Sequence, residues 1–120
     1  MTEFQRDMVP CRALLVDAHE TCIDLWRAAV RPHEDEIHAS VVPNLEEACS
    51  LAEKDGFSIV FIDVGPGEEE GIRRLMEILD AREKQTFFVL VTHEESLEMI
   101  QWAHDMGLDD FIVKGPLYRE

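Results

Sequence analysis

Short apolar runs that alternate with amphipathic segments predict an α/β fold on a five-stranded parallel sheet. Two observations carry that expectation. Strand-sized apolar runs recur five times along the chain, and the segments between them place apolar residues at helical spacing. The predicted order is β-α-β-α-β-α-β-α-β.

The first strand covers residues 12–16 and ends at Asp17. A helix follows over residues 20–30, with Cys22, Leu25, Trp26 and Ala29 at the i, i+3, i+4, i+7 spacing of one buried face. Pro32 stops it, because proline lacks the backbone donor a helix needs. A weaker second strand spans residues 37–42. Asn44 then caps a helix, with Glu47 three residues on as in a capping box; Leu45, Ala48 and Ala52 form its inner stripe, and Gly56 ends it. The third strand, residues 58–62, is continuously apolar, which predicts a central strand covered on both faces. After the loop VGPGEEEG comes a helix over residues 69–81, whose Ile72, Leu75, Met76 and Leu79 repeat the one-face spacing. Glu68, Glu69 and Glu70 suit the positive end of its dipole. The fourth strand, residues 86–91, leads to a helix over residues 96–106 stopped by Gly107, and the fifth strand covers residues 110–113. Only GPLYRE remains after Lys114, so a closing fifth helix is expected to be short or missing.

The chain has 120 residues, 46% hydrophobic and 31% charged, which fits one domain spanning residues 1–120 with residues 1–10 as an N-terminal extension. Its 26 acidic and 11 basic residues give a net charge of −15. That charge opposes binding to nucleic-acid phosphates and to anionic membranes, both of which recruit Lys and Arg. No apolar run reaches membrane-spanning length and no secretory signal opens the chain, so a cytoplasmic location is expected. Cys11, Cys22 and Cys49 form no Cys-x-x-Cys pair and read as inert thiols. The histidines show no helical i, i+4 pair, which argues against a zinc site.

In an open parallel sheet, ligands gather beyond the carboxyl ends of the strands. There this sequence places Asp17-Ala18-His19-Glu20, Asp63, Thr92-His93 and Lys114. Two carboxylates and a backbone carbonyl bind Mg²⁺, which keeps several waters and recruits phosphate oxygens. A lysine and a hydroxyl hold the other oxygens of a transferring phosphoryl group.

On these residues the chain resembles the receiver domain of bacterial two-component response regulators. The matching stretches are LLVDAHE, IVFIDVGPGEEEGI, VLVTHEES and GLDDFIVKGP. Gly71 lies eight residues after Asp63, Thr92 lies 29 after it, and Lys114 lies 22 after Thr92. The resemblance implies a flavodoxin-like doubly wound sheet of strand order 2-1-3-4-5. It implies Asp63 as phosphoacceptor, Thr92 and Lys114 as phosphate-binding partners, and Thr92 with Phe111 as the switch pair. Mg²⁺ would be held by Asp17, Asp63 and the Gly65 backbone carbonyl. The partners it implies are a histidine kinase or phosphotransfer protein and a downstream effector, with a homodimer as one way to cover the missing helix. A receiver of this kind is not an enzyme beyond its own phosphorylation and dephosphorylation.

The sequence departs from that pattern at three places. Ala18 stands where the family has a second acid that touches the metal, so weakened or lost Mg²⁺ binding is expected. His19 does not compensate, because hard cations prefer oxygen. Pro66 comes one residue early, and Gly115 intervenes before Pro116. Ala18 supports an alternative function, a pseudo-receiver acting as a phosphorylation-independent interaction module. An aspartyl phosphohydrolase would want a second acid two residues after its nucleophile, and a nucleotide-binding domain would want a glycine-rich loop after the first strand; neither is present.

Overall fold

The computed structural model describes residues 11–63, 67–82, 85–92 and 96–113, the side chains of residues 20–22 excepted. Its elements are β1 (Cys11–Asp17), α1 (Glu20–Val30), a 3₁₀ turn (Arg31–His33), β2 (Ile37–Val42), α2 (Leu45–Lys54), β3 (Ile59–Asp63), α3 (Glu69–Asp80), β4 (Phe87–Thr92), α4 (Leu97–Met106) and β5 (Asp110–Val113). The strands form one parallel sheet of order β2-β1-β3-β4-β5. Strand order and element order agree with the sequence-based expectation. β1, β3 and β4 each run one residue further at their carboxyl ends than the apolar runs indicate, because Asp17, Asp63 and Thr92 are themselves paired in the sheet.

The helices start and stop for local reasons. Asn44 Oδ1 accepts the Glu47 amide at 2.8 Å, and Ser96 Oγ accepts the Met99 amide at 3.2 Å, each satisfying a donor left over by its helix. Gly107 ends α4 at φ +83°, a left-handed conformation that glycine adopts without a Cβ clash.

One face of the sheet carries the main core. Leu14, Val16, Val60, Ile62 and Phe88 meet Leu45, Ala48 and Ala52 of α2 and Ile72, Leu75 and Leu79 of α3, all buried. Trp102 of α4 packs partly buried against this cluster. The opposite face is less sealed, and two expectations change here. β3 is central, but Ile59 and Phe61 are only half-buried, and Phe87 and Ile112 are 45% and 43% exposed. In α1 the inward residues are Ile23, Trp26 and Val30, whereas Leu25 is 41% exposed and Ala29 is exposed. The reason is the indole: Trp26 stacks on Phe61 with ring centroids 5.0 Å apart. That contact turns the helix so that the Leu25–Ala29 row faces water.

The amino-terminal rim of the sheet is tied down by side chains. Arg12 Nε donates to the Gly56 carbonyl at 3.2 Å, pairs with Asp55 at 3.4 Å and lies 5.5 Å above the Phe57 ring. Arg82 Nη2 donates to the Ala52 carbonyl at 2.8 Å, and Thr86 Oγ1 to the Phe57 carbonyl at 2.7 Å. Asp109 Oδ2 accepts the Phe88 amide at 2.8 Å. These bonds use the polar groups of the lower loops, and the opposite rim is left for chemistry.

Gly71, in the first turn of α3, is where α2 and α3 approach closely. A Cβ there would lie 2.9 Å from Leu45 Cδ1 and 3.2 Å from Leu45 Cβ. The Cδ1 methyl can swing aside, but Leu45 Cβ is fixed to its helix. Overpacking costs about 1–3 kcal/mol, against about 1 kcal/mol returned by the better helix propensity of alanine. Gly71→Ala should therefore lower stability by up to about 2 kcal/mol in urea unfolding; an unchanged or raised midpoint would refute the close approach. A second prediction concerns Cys49, buried beneath α3. Burial raises its thiol above the ordinary value, with Arg74 opposing and Glu53 reinforcing the shift. The folded state thus holds the proton more tightly than the unfolded one. Stability should be constant below the unfolded thiol value of about 8.5 and fall as pH rises beyond it. Cys49→Ala should flatten that component of the alkaline decline, measured as the urea midpoint between about pH 8 and 10.

Candidate functional site

Parallel pairing brings the site together. In the β1–β3 register, Asp17 lies directly opposite Asp63. Cα partners on neighbouring parallel strands project to the same face, so the two carboxylates leave the sheet side by side. Ile62 pairs with Leu90, which places Thr92 one residue beyond the level of Asp63 on the next strand. Thr92 in turn pairs with Val113, the last residue of β5. Asp17, Asp63 and Thr92 therefore share the carboxyl rim. Lys114, Gly65 and Pro66, the other sequence-predicted participants of this rim, lie outside the described residues. Phe111 is half-buried on β5 opposite Leu90.

Asp17 is 1% exposed, although it is a carboxylate at a strand end. Buried charge needs compensation, and part of it comes from the residue two positions on. The His19 amide donates to Asp17 Oδ1 at 2.8 Å, and the His19 ring places Nδ1 3.2 Å from the same oxygen. This turn folds the chain back over the carboxylate just before α1 begins, while the imidazole stays largely in solvent. Asp63 is half-buried. Ala18, between Asp17 and His19, is exposed and offers no side-chain ligand atom.

One donor atom each from Asp17, His19 and Asp63 lie within 4.8 Å of one another, a spacing suited to a single cation. The two carboxylates fit Mg²⁺, which takes a few protein oxygens and fills its other positions with water. His19 joins the cluster unexpectedly. The sequence signal was Asp-x-His straight after a strand, where an aspartate accepts the amide two residues on and draws that side chain in.

Beyond the Asp63 loop, Gly67 takes φ +103° and its amide donates to the Glu69 carboxylate, to Oε2 at 3.0 Å. The first acid of α3 is thereby turned to its own loop, consistent with negative charge at a helix start.

Solved structures share this architecture. The chemotaxis protein CheY4 of Vibrio cholerae superposes with a TM-score of 0.74 at 19% identity, covering 92% of this chain and 93% of that one. The receiver domain of the sensor histidine kinase PA1611 of Pseudomonas aeruginosa, with a magnesium ion coordinated in its active site cleft, gives 0.70 at 16%, covering 88% and 86%. A chain of the Saccharomyces cerevisiae co-crystal of the histidine phosphotransfer protein Ypd1 with the receiver domain of the response regulator Ssk1 gives 0.70 at 21%, covering 88% and 79%. At these identities the likeness establishes the fold. No curated protein matches the chain in sequence. The family model for the response regulator receiver domain, however, matches residues 13–117, from inside β1 to beyond β5. That match takes in every strand end described above, and the chain belongs to the response regulator receiver domain family.

Proposed function

We propose that this chain is a phosphoacceptor receiver of a two-component system, taking a phosphoryl group from a histidine kinase or phosphotransfer protein onto Asp63. The observation that supports this most is the side-by-side placement of Asp17 and Asp63 at the rim that also carries Thr92. Family membership supports it independently. The Ssk1 receiver, of the same fold, is crystallised with a phosphotransfer protein, which is the kind of donor envisaged here.

The chemistry asks little of the protein beyond positioning. An Asp63 carboxylate oxygen attacks the phosphorus of a phosphohistidine in line. The P–N bond breaks, an acyl phosphate forms, and the departing imidazole takes a proton from water. Asp17 and Asp63 would hold Mg²⁺, which would supply positive charge to offset that on the phosphoryl oxygens. Asp17 holds the cation side of the site through its buried carboxylate. The Thr92 hydroxyl donates to one phosphoryl oxygen, and the Lys114 ammonium neutralises another. Movement of Thr92 toward the new phosphate, with Phe111 following, reshapes the surface of α4 and β5 for a downstream effector. The domain works in the cytoplasm, without nucleic-acid or membrane contact of its own. A second copy of the chain is a candidate cover for the half-sealed face bearing Phe87 and Ile112.

Ala18 favours a second reading, a pseudo-receiver that binds partners without phosphorylation. The missing ligand weakens Mg²⁺ binding by roughly ten- to a hundredfold on this proposal. Labelling by a small phosphodonor with Mg²⁺ separates the two readings. The native chain should gain one phosphoryl group by intact-mass measurement, and Asp63→Asn should gain none. Absence of any labelling at millimolar Mg²⁺ would favour the pseudo-receiver. Ala18→Asp should tighten Mg²⁺ by roughly ten- to a hundredfold in calorimetric titration; unchanged affinity would remove Ala18 as the cause of weakness.

A further inference from the structure

We propose that His19 biases this cation site away from Mg²⁺ and toward borderline first-row ions such as Co²⁺ and Zn²⁺, with Asp17, His19 and Asp63 as protein ligands. The inference rests on the reading of the Asp17–Asp63 rim as a cation site, and adds which cation it prefers and which residue decides.

Geometry supplies the first argument. Donor atoms of the three side chains lie within 4.8 Å of one another. His19 Nδ1 and Asp17 Oδ1 are 3.2 Å apart. An ion bonded to both at about 2.1 Å would subtend an angle of about 100°, between octahedral and tetrahedral values.

Backbone also holds residue 19 beside the carboxylate. The His19 amide donates to Asp17 Oδ1 at 2.8 Å, so residue 19 is folded over the carboxylate by a turn and not by a chance rotamer. The second argument is the composition of the donor set. The Ala18 side chain supplies no oxygen, and among the described residues the side-chain set is two carboxylates and one imidazole. Imidazole suits zinc, nickel, copper and iron, whereas carboxylates, carbonyls and water suit magnesium and calcium. The net charge of −15 concentrates cations of every kind, so discrimination falls to the nitrogen.

Absolute affinity does not test this, because Zn²⁺ and Co²⁺ outbind Mg²⁺ at most sites; the test is how each affinity responds to residue 19. The full chain is titrated with Co²⁺ and with Mg²⁺ by calorimetry, and Co²⁺ is also followed by its visible absorption. His19→Ala should weaken Co²⁺ by at least roughly tenfold, the lower end of what even outer-shell changes cost, and leave Mg²⁺ within about twofold. His19→Asp should move the preference the other way, weakening Co²⁺ and strengthening Mg²⁺. The Co²⁺ band of the native chain should lose intensity or shift on His19→Ala. Asp63→Asn serves as the control for location. If His19→Ala changes both ions equally, or neither, while Asp63→Asn weakens both, the proposal fails and the cation site stands. If Asp63→Asn changes neither ion, the cation-site reading itself is overturned, and the proposal falls with it.

Discussion

The parallel pairing of β1 with β3 is the constraint on which the rest of the structure depends. Register sets Asp17 opposite Asp63, and a one-residue slip would turn one carboxylate to the other face of the sheet. The register is held by the core below. Leu14, Val16, Val60 and Ile62 point to one face and are buried there under α2 and α3. A slip would turn the two core side chains of whichever strand moved out of that core, at about 1.5–3 kcal/mol each. Burial in the middle of the sheet thus fixes geometry at its edge.

The two rims of the sheet divide their work. At the amino rim, Arg12, Arg82, Thr86 and Asp109 bond to backbone groups of neighbouring loops. At the carboxyl rim, Asp17, His19 and Asp63 converge around a small volume, and Asp17 is buried. A buried carboxylate beside a second carboxylate is electrostatically unfavourable unless positive charge or dipoles face it. The His19 amide and ring supply part of that compensation. A cation bound there would supply more, which would tie the stability of the rim to its chemistry. Gly71 connects the same rim to the core, since its lack of a side chain lets α3 settle against Leu45 directly behind the Asp63 loop.

Ala18 and His19 change the character of the rim together. Removing one acid lowers the negative charge available to a hard cation, and the histidine beside it adds a softer donor. Neither residue disturbs the strand, because Ala18 is exposed and His19 is set by a turn to Asp17. The fold therefore accommodates both residues without a change in backbone.

Much of this was legible in the residues. Period and punctuation located every strand and α-helix among the described residues, though not the 3₁₀ turn, because Asn44 and Gly107 act through local bonds that a sequence displays. The placement of Asp17, Asp63 and Thr92 at one rim followed from their positions after apolar runs. The inward stripe of α1 was not legible. Leu25 and Ala29 satisfy helical spacing as well as Ile23 and Val30 do, and the choice was made by Trp26 finding Phe61. Half-burial of Ile59 and Phe61 was hidden for the same reason, since an apolar run does not say how much of each face a helix covers. The sequence alone determined the alternating architecture, the candidate acids and the loss of an acid at Ala18, because these depend on residue type and local spacing. Only tertiary structure decided the 1% exposure of Asp17 and the entry of His19 into its donor set, because both depend on how a turn folds over a neighbouring strand.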